Sequence, residues 1–249
     1  MRTWRLDLDD VSLAVEERGD PAAPAAVIAH GAGSTGEFAA RCWSGCVEAG
    51  YRLVTYDLRG HGASTPLPRP EDQALAHHVA DLAALVEETA ARVVGGTSLG
   101  AHVAAAYAAT APLDALLLAI PGRLGVASDE LATQGVAATL QRIAADPAVP
   151  RWVVIELERA WPRHDPASLA ATFRALARDV QPTLPTIEAP TGVVGLVDDP
   201  THPFAVAEEY AATLPRAALE SLTLAEWGER RSILGDAALA ACRTAIRSR

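Results

Sequence analysis

The sequence predicts an α/β fold in which a mostly parallel central sheet is flanked by helices. Strand-like and helical runs alternate along most of the 249 residues, a pattern that favours parallel strands with helices on both faces. The alternation stops between about residues 126 and 189, where helical runs punctuated by proline follow one another without a convincing strand. We therefore expect a single domain, 1–249, with a helical insertion at about 126–189, called the cap below, over one end of the sheet.

Short apolar runs predict the strands, and apolar residues at helical spacing predict the helices. Leu75, Val79 and Leu82, for example, share one helical face. Before the cap, the predicted elements are a hairpin at 3–9 and 11–18, strands at 25–29, 52–56, 91–95 and 113–120, and helices at 75–90 and 101–110. The cap and the segment after it contain predicted helices at 129–145, 152–160, 166–179, 204–214 and 235–247, and strands at 192–197 and 218–224.

Composition excludes several classes of function. The net charge is −10 and no basic stripe is present, so nucleic-acid binding is not expected. All 21 basic residues are Arg and the chain has neither Lys nor Asn, which excludes Schiff-base lysine chemistry, a Walker A lysine and N-glycosylation. Its three cysteines suit neither a disulfide framework nor a zinc site, and we expect Cys42 and Cys46 on one helix face.

The sequence also favours a cytoplasmic location. The N-terminal residues Met1–Asp7 lack the apolar core of a signal peptide, and no uncharged apolar run is long enough for a membrane span. The high content of Ala and Arg is typical of a GC-rich bacterium. We therefore expect no membrane partner.

The pentapeptide Gly96–Gly100 is the most informative motif. It reads G-x-S-x-G, follows the apolar run 91–94 and precedes a long helical run. This strand–turn–helix context predicts a nucleophile elbow that exposes Ser98 at the carboxyl end of the sheet. The alternative is a simple helix N-cap serine, which would not need the flanking glycines.

Three motifs occur in order, each after a predicted strand: His30-Gly31-Ala32-Gly33, the segment 57–64 (DLRGHGAS), and Gly96–Gly100. Together they closely resemble the α/β-hydrolase fold family, in its esterase, lipase, thioesterase and haloperoxidase-like branch with a helical cap. The resemblance covers essentially the whole chain. It implies that Ser98 is the nucleophile and that the backbone N–H groups of Leu99 and Ala32 bind the oxyanion.

The same resemblance suggests further site residues. It places the catalytic acid at Asp198, at the end of a late strand, with Asp199 as the alternative. Trp152, Trp161 and Phe173 of the cap are expected to shape an apolar substrate pocket.

Six of the seven histidines are expected to have structural or solvated positions. We expect His30 and His61 to organise loops, His102 to lean toward the sheet or a neighbouring loop, and one of His77 and His78 to be solvated. His202 lies in the same turn as Asp198 and could reach the site, but we expect it to be structural. The remaining histidine, His164, lies in the predicted cap.

The chain departs from the family where the catalytic histidine normally stands, after the last strand. The matching segment, 225–231, contains no histidine. Removing the histidine of a serine protease triad costs about 10⁶-fold in kcat, or roughly 8 kcal/mol of barrier. Three explanations remain: His164 in the cap supplies the base, Glu226 replaces it with a carboxylate of raised pKa, or the site binds a ligand without turning it over.

Three functional hypotheses follow. The first is a hydrolase of a small or medium ester, thioester or lactone, with a non-standard or missing base. The second is a ligand-binding pseudo-hydrolase, and the third is a lyase or cyclase on the same fold. The partner expected is a small acyl substrate, and no cofactor or metal is implied. A histidine within hydrogen-bond reach of Ser98 would favour catalysis.

Overall fold

The computed structural model describes residues 1–124 and 130–248. Within these residues, eight strands form one sheet with the order β1-β2-β4-β3-β5-β6-β7-β8. The strands are β1 Arg2–Asp7, β2 Ser12–Arg18, β3 Ala25–Ala29, β4 Arg52–Tyr56, β5 Val93–Thr97, β6 Ala115–Ala119, β7 Thr191–Leu196 and β8 Ala217–Leu222. The pairs β1–β2 and β2–β4 are antiparallel, and all pairs from β4 across to β8 are parallel. The predicted mostly parallel sheet with an opening hairpin is therefore confirmed.

Helices cover both faces of this sheet. Their bounds are α1 Gly36–Cys42, α2 Gly45–Glu48, α3 Leu75–Thr89, α4 Leu99–Ala108, α5 Glu130–Ala145, α6 Arg151–Ala160, α7 Pro166–Leu176, α8 Phe204–Thr213, α9 Leu224–Glu229 and α10 Ile233–Arg247. Short 3₁₀ helices lie at Pro70–Gln73, Trp161–Arg163 and Leu184–Thr186. No helix in the described ranges is long and apolar enough to cross a bilayer.

The sheet lies between two hydrophobic clusters. Successive residues of a strand point to opposite faces of the sheet, so each strand contributes side chains to both clusters. In β3, Val27 packs in the cluster formed with α3, α4 and α8, whereas Ile28 packs in the cluster formed with α1, α2 and α10. Every residue of β3, β6 and β7 is buried. Buried parallel strands read as continuous apolar runs rather than alternating ones, which is why short apolar runs located them in the sequence.

The helices α5, α6 and α7 follow one another between β6 and β7. Helix α5 bends at Gly135, whose φ is +79°, and a third hydrophobic cluster joins Leu131 to Trp161 and Leu169. The predicted cap boundary at 126, and residues up to 129, lie outside the described residues. The observed helical segment agrees with the helical runs expected there.

Two local expectations differ from the structure. The segment after β8 is a helix, α9, rather than a loop: Thr223 and Glu226 form a capping box that satisfies the N–H groups at its start. Cys42 and Cys46 are not on one helix, because Cys42 ends α1 and Cys46 lies in α2. All three cysteines are buried and free.

Candidate active site

Ser98 lies at a strained turn between β5 and α4. Its φ of +54° and ψ of −114° lie in a region that a non-glycine residue rarely adopts. The turn requires glycine on both sides: a Cβ on Gly96 would collide with the backbone of Gly100, and a Cβ on Gly100 would collide with the backbone of Ala29. The predicted strand–turn–helix is therefore present, and its backbone strain is of the kind that is retained to present one side chain.

A continuous hydrogen-bond chain joins Ser98 to His202 and Asp199. The Ser98 Oγ lies 2.9 Å from His202 Nε2, and His202 Nδ1 lies 2.8 Å from Asp199 Oδ2. Because a carboxylate only accepts, Nδ1 carries the ring proton, and Nε2 is left to accept the hydroxyl proton of Ser98. This is the geometry that a serine nucleophile and its general base require.

The loop after β7 supplies both His202 and Asp199, only three residues apart. Asp199 Oδ1 accepts the backbone N–H groups of Thr201 (2.8 Å) and His202 (3.3 Å), which turns Oδ2 toward the imidazole. Burial raises the pKa of Asp199, but the hydrogen bonds from His202 and from the two backbone N–H groups outweigh it and lower that pKa overall. The carboxylate therefore stays ionised beside the ring.

Asp198 does not occupy the position expected for the acid. Its Oδ1 accepts the N–H of Leu224 at 2.7 Å, so it caps the start of α9. Asp199, and not Asp198, contacts His202, because the turn at Thr201 directs the Asp199 carboxylate toward the ring. The alternative named from the sequence, Asp199, has the matching geometry.

His164 is not placed to take a proton from Ser98. Its Nδ1 accepts the N–H of Gly62 at 2.8 Å, and its Nε2–H donates to the Gly33 carbonyl at 3.1 Å. Both ring nitrogens are therefore bound to backbone, and the prediction that this cap histidine is the base is corrected. Glu226 is equally unsuitable, because its exposed carboxylate belongs to the capping box and its hydrogen bonds with Thr223 lower its pKa.

The two predicted oxyanion donors flank Ser98. Leu99 is the first residue of α4, where a backbone N–H has no acceptor within the helix. Ala32 follows Gly31, which lies so close to the elbow that a Cβ added to it would be 3.2 Å from the Ser98 Cβ. The backbone of both segments therefore lies close to Ser98, and their role as oxyanion donors stays a prediction.

Four buried histidines remain neutral at physiological pH. Burial lowers the pKa of His30 to about 3, that of His102 to about 4, and those of His61 and His78 well below the usual range. As predicted, His30 and His61 bind loop backbone. His77 is solvated at the surface, whereas its neighbour on α3 is fully buried.

The low pKa of His102 predicts a loss of stability in mild acid. His102 is 2% exposed, and its Nδ1 is hydrogen-bonded to the Tyr210 hydroxyl at 2.7 Å. Burial, followed by the charge of His202, lowers its pKa from 6.5 to about 4. The unfolded chain then binds more protons than the folded one below pH 6.5, so stability is complete above that pH and is lost as the pH falls toward 4.

At pH 5 we expect this one residue to cost roughly 2 kcal/mol of unfolding free energy. Urea titrations at pH 7 and pH 5 of the wild-type protein and His102→Gln measure it, because the variant cannot gain that proton. The expectation would be wrong if the unfolding free energy changed by the same amount between pH 7 and pH 5 in both proteins.

A cavity of about 880 Å³ lies over the elbow and contains Ser98 and His202 in its wall. Trp152, Trp161 and Phe173, the three cap aromatics expected from the sequence, all line it. Its size falls within the range of small-molecule sites, which are mostly apolar with a few placed polar groups. Within the described part of the chain, no group of three or more His, Cys, Asp or Glu side chains is arranged to hold a metal ion.

His202, which the sequence predicts to be structural, is the histidine that the structure places against Ser98. The family's usual position for the histidine follows β8, and that position is taken here by α9. The signal was nevertheless present: Asp199 and His202 stand three residues apart in a turn, between a buried strand and Pro203 at the start of α8. A side-chain acceptor two or three residues before a histidine is a local arrangement that a turn can form without help from distant elements.

Comparison with known proteins agrees with this fold. Residues 26–239 match the family described as Alpha/beta hydrolase family. A curated protein of Mycobacterium tuberculosis, named as a non-heme bromoperoxidase, BpoC, is 32% identical over 195 residues, spanning 67% of this chain and 72% of that protein.

Solved structures show the same fold at lower identity. A hydrolase from Pseudomonas aeruginosa is 24% identical with a TM-score of 0.76, covering 96% of this chain and 97% of that one. An enol-lactonase from Burkholderia xenovorans is 19% identical with a TM-score of 0.75, covering 88% and 90%. A thermophilic esterase from Thermogutta terrifontis is 20% identical with a TM-score of 0.75, covering 90% of each chain. With its fold, its elbow and its match over 26–239, the chain belongs to the α/β hydrolase family.

Proposed function

We propose that the protein is a serine hydrolase that cleaves a small or medium carboxylic ester, thioester or lactone. Ser98 is the nucleophile, His202 the general base and Asp199 the carboxylate that holds the ring. The observation that carries the proposal is the hydrogen-bond chain of 2.9 Å and 2.8 Å through His202. Two similar structures are named as an enol-lactonase and an esterase, which supports cleavage of an ester or lactone bond.

The first half of the reaction forms an acyl-enzyme. Ser98 Oγ attacks the carbonyl carbon while its proton passes to His202 Nε2, and Asp199 stabilises the imidazolium that results. The N–H groups of Leu99 and Ala32 hold the negative oxygen of the tetrahedral intermediate. When the intermediate collapses, the bond to the leaving oxygen or sulfur breaks, and His202 gives its proton to the departing alcohol or thiol.

The second half releases the acid. Water attacks the acyl carbon of the ester on Ser98, and its proton passes to His202. The second tetrahedral intermediate collapses, Ser98 takes the proton back, and the carboxylic acid leaves. For a lactone the alcohol and the acid are parts of one molecule, so the product is a hydroxy acid.

The hypothesis of a pseudo-hydrolase that only binds its ligand depended on the absence of a histidine near Ser98. The 2.9 Å contact with His202 counts against it. No observation on the described residues favours a lyase or a cyclase over a hydrolase.

The test is turnover of a substrate panel by the wild-type protein and by Ser98→Ala. The panel contains p-nitrophenyl acetate, butyrate and octanoate, an acyl thioester and simple lactones. We expect hydrolysis of at least one class, with acylation of Ser98 seen by mass spectrometry after a slow substrate. Hydrolysis that persists in Ser98→Ala, or binding of esters without any turnover, would contradict the proposal.

A further inference from the structure

His30 makes a hydrogen bond to the peptide group that carries the Ala32 N–H. The Gly31 carbonyl belongs to the same peptide group, and it accepts the Nδ1–H of His30 at 2.7 Å and the N–H of Ser34 at 3.0 Å. In a trans peptide the carbonyl and the N–H point in opposite directions. Fixing the Gly31 carbonyl therefore fixes the direction of the Ala32 N–H.

The next two peptide groups of this loop are held by two further histidines. The Gly33 N–H donates to His61 Nε2 at 3.1 Å, and the Gly33 carbonyl accepts His164 Nε2–H at 3.1 Å. Gly33 has a φ of +69°, so the loop turns sharply there. Three consecutive peptide groups are thus each bound by a different imidazole.

His164 is the member of this set that comes from the cap. The three rings contact one another edge to face: the ring centroids of His30 and His61 are 5.0 Å apart, and those of His61 and His164 are 5.1 Å apart. His164 is 4% exposed, and its other nitrogen accepts the Gly62 N–H at 2.8 Å. Burial lowers the pKa of His164, so the ring stays neutral and keeps that acceptor.

We propose that His164 is a positioning residue for the oxyanion hole, and that its hydrogen bond from the cap to the Gly33 carbonyl completes that hole. His164 transfers no proton in the reaction. It acts through the Gly33 carbonyl on the loop that presents the Ala32 N–H. The inference rests on the proposed function, because it concerns a donor that this function assigns.

Two substitutions separate the two hydrogen bonds of His164. His164→Gln can keep a donor near the Nε2 position and so retain the bond to Gly33, whereas His164→Asn can keep only the acceptor for Gly62. We expect His164→Asn to lower kcat about 10- to 100-fold, since a small misplacement of catalytic groups or the loss of one oxyanion donor costs this much or more. We expect His164→Gln to stay close to the wild type in kcat, and both variants to keep the wild-type KM.

The second measurement is the affinity for a trifluoromethyl ketone, whose hemiketal oxyanion occupies the oxyanion hole. The affinity for this ketone should fall in His164→Asn by the same factor as kcat. The matched control is Ser168→Ala, which removes the bond from the Leu67 N–H to Ser168 Oγ and the bond from Ser168 Oγ to Asp165 Oδ1, both 2.8 Å. Neither bond involves the loop of Gly33. We expect this control to lose stability with unchanged kcat and ketone affinity.

Three outcomes decide the matter. This inference would be overturned, and the proposed function left intact, if His164→Asn had the same kcat and ketone affinity as the wild type or as Ser168→Ala. Wild-type protein without Ser98-dependent turnover would overturn the proposed function and this inference with it. If His164→Asn fails to fold by near-UV circular dichroism, His164→Met, which also lacks the donor to Gly33, takes its place under the same criteria.

Discussion

His202→Ala is expected to lower kcat on an activated ester by between about 10⁴- and 10⁶-fold, because loss of the histidine alone in a comparable triad costs about 10⁶-fold. Without His202, nothing accepts the Ser98 proton at the 2.9 Å contact, and a neutral serine hydroxyl is a weak nucleophile. The residual rate should exceed that of the uncatalysed reaction, since the oxyanion hole and substrate binding remain. Steady-state hydrolysis of the best substrate of the panel measures the effect.

The control for this variant is His77→Ala. His77 is an exposed histidine on α3 and takes no part in the site, so its replacement should leave kcat unchanged. Added imidazole should restore part of the activity of His202→Ala by entering the space that the ring leaves. A His202→Ala protein with the wild-type kcat would refute the assigned base.

Asp199→Asn and Asp198→Asn form a matched pair of neighbouring substitutions with opposite expected results. In Asp199→Asn the amide can donate to His202 Nδ1, which moves the ring proton to Nε2 and removes the acceptor that Ser98 needs. We expect a loss of about 10³- to 10⁴-fold in kcat, by analogy with the wrong tautomer produced in a serine protease. Circular dichroism should show both variants folded.

Asp198→Asn should have almost no effect on the chemistry. Its side-chain carbonyl can still accept the Leu224 N–H, so we expect less than about 0.5 kcal/mol of lost stability and an unchanged kcat. If instead Asp198→Asn inactivated the enzyme and Asp199→Asn did not, Asp198 would be the catalytic acid, as the sequence alone suggested.

The sequence predicted the sheet well because the buried parallel strands are short apolar runs. The runs 25–29 and 52–56 coincide with β3 and β4, and the elbow follows β5 as its two glycines indicated. These features depend on local packing and backbone strain, which a pentapeptide or a run of five residues already contains. Ser98 and its flanking loops were therefore accessible to sequence reasoning.

The partner of Ser98 was not accessible in the same way. His202 is 104 residues away along the chain, and only the turn at Asp199 decides which of two adjacent carboxylates faces it. The family's usual histidine position lies in the segment after β8, which contains no histidine here. That segment could itself have been recognised as a helix start, since Thr223 and Glu226 have the spacing of a capping box.

The rate at which a fluorophosphonate labels Ser98 tests the central claim most directly, because it reports activation of this hydroxyl without depending on the choice of substrate. We predict that the wild-type protein is labelled at Ser98 and that His202→Ala is labelled at least about 10³-fold more slowly, in line with the loss of a triad histidine. His164→Gln should be labelled at close to the wild-type rate. Labelling of His202→Ala at the wild-type rate would contradict the claim that His202 takes the proton of Ser98.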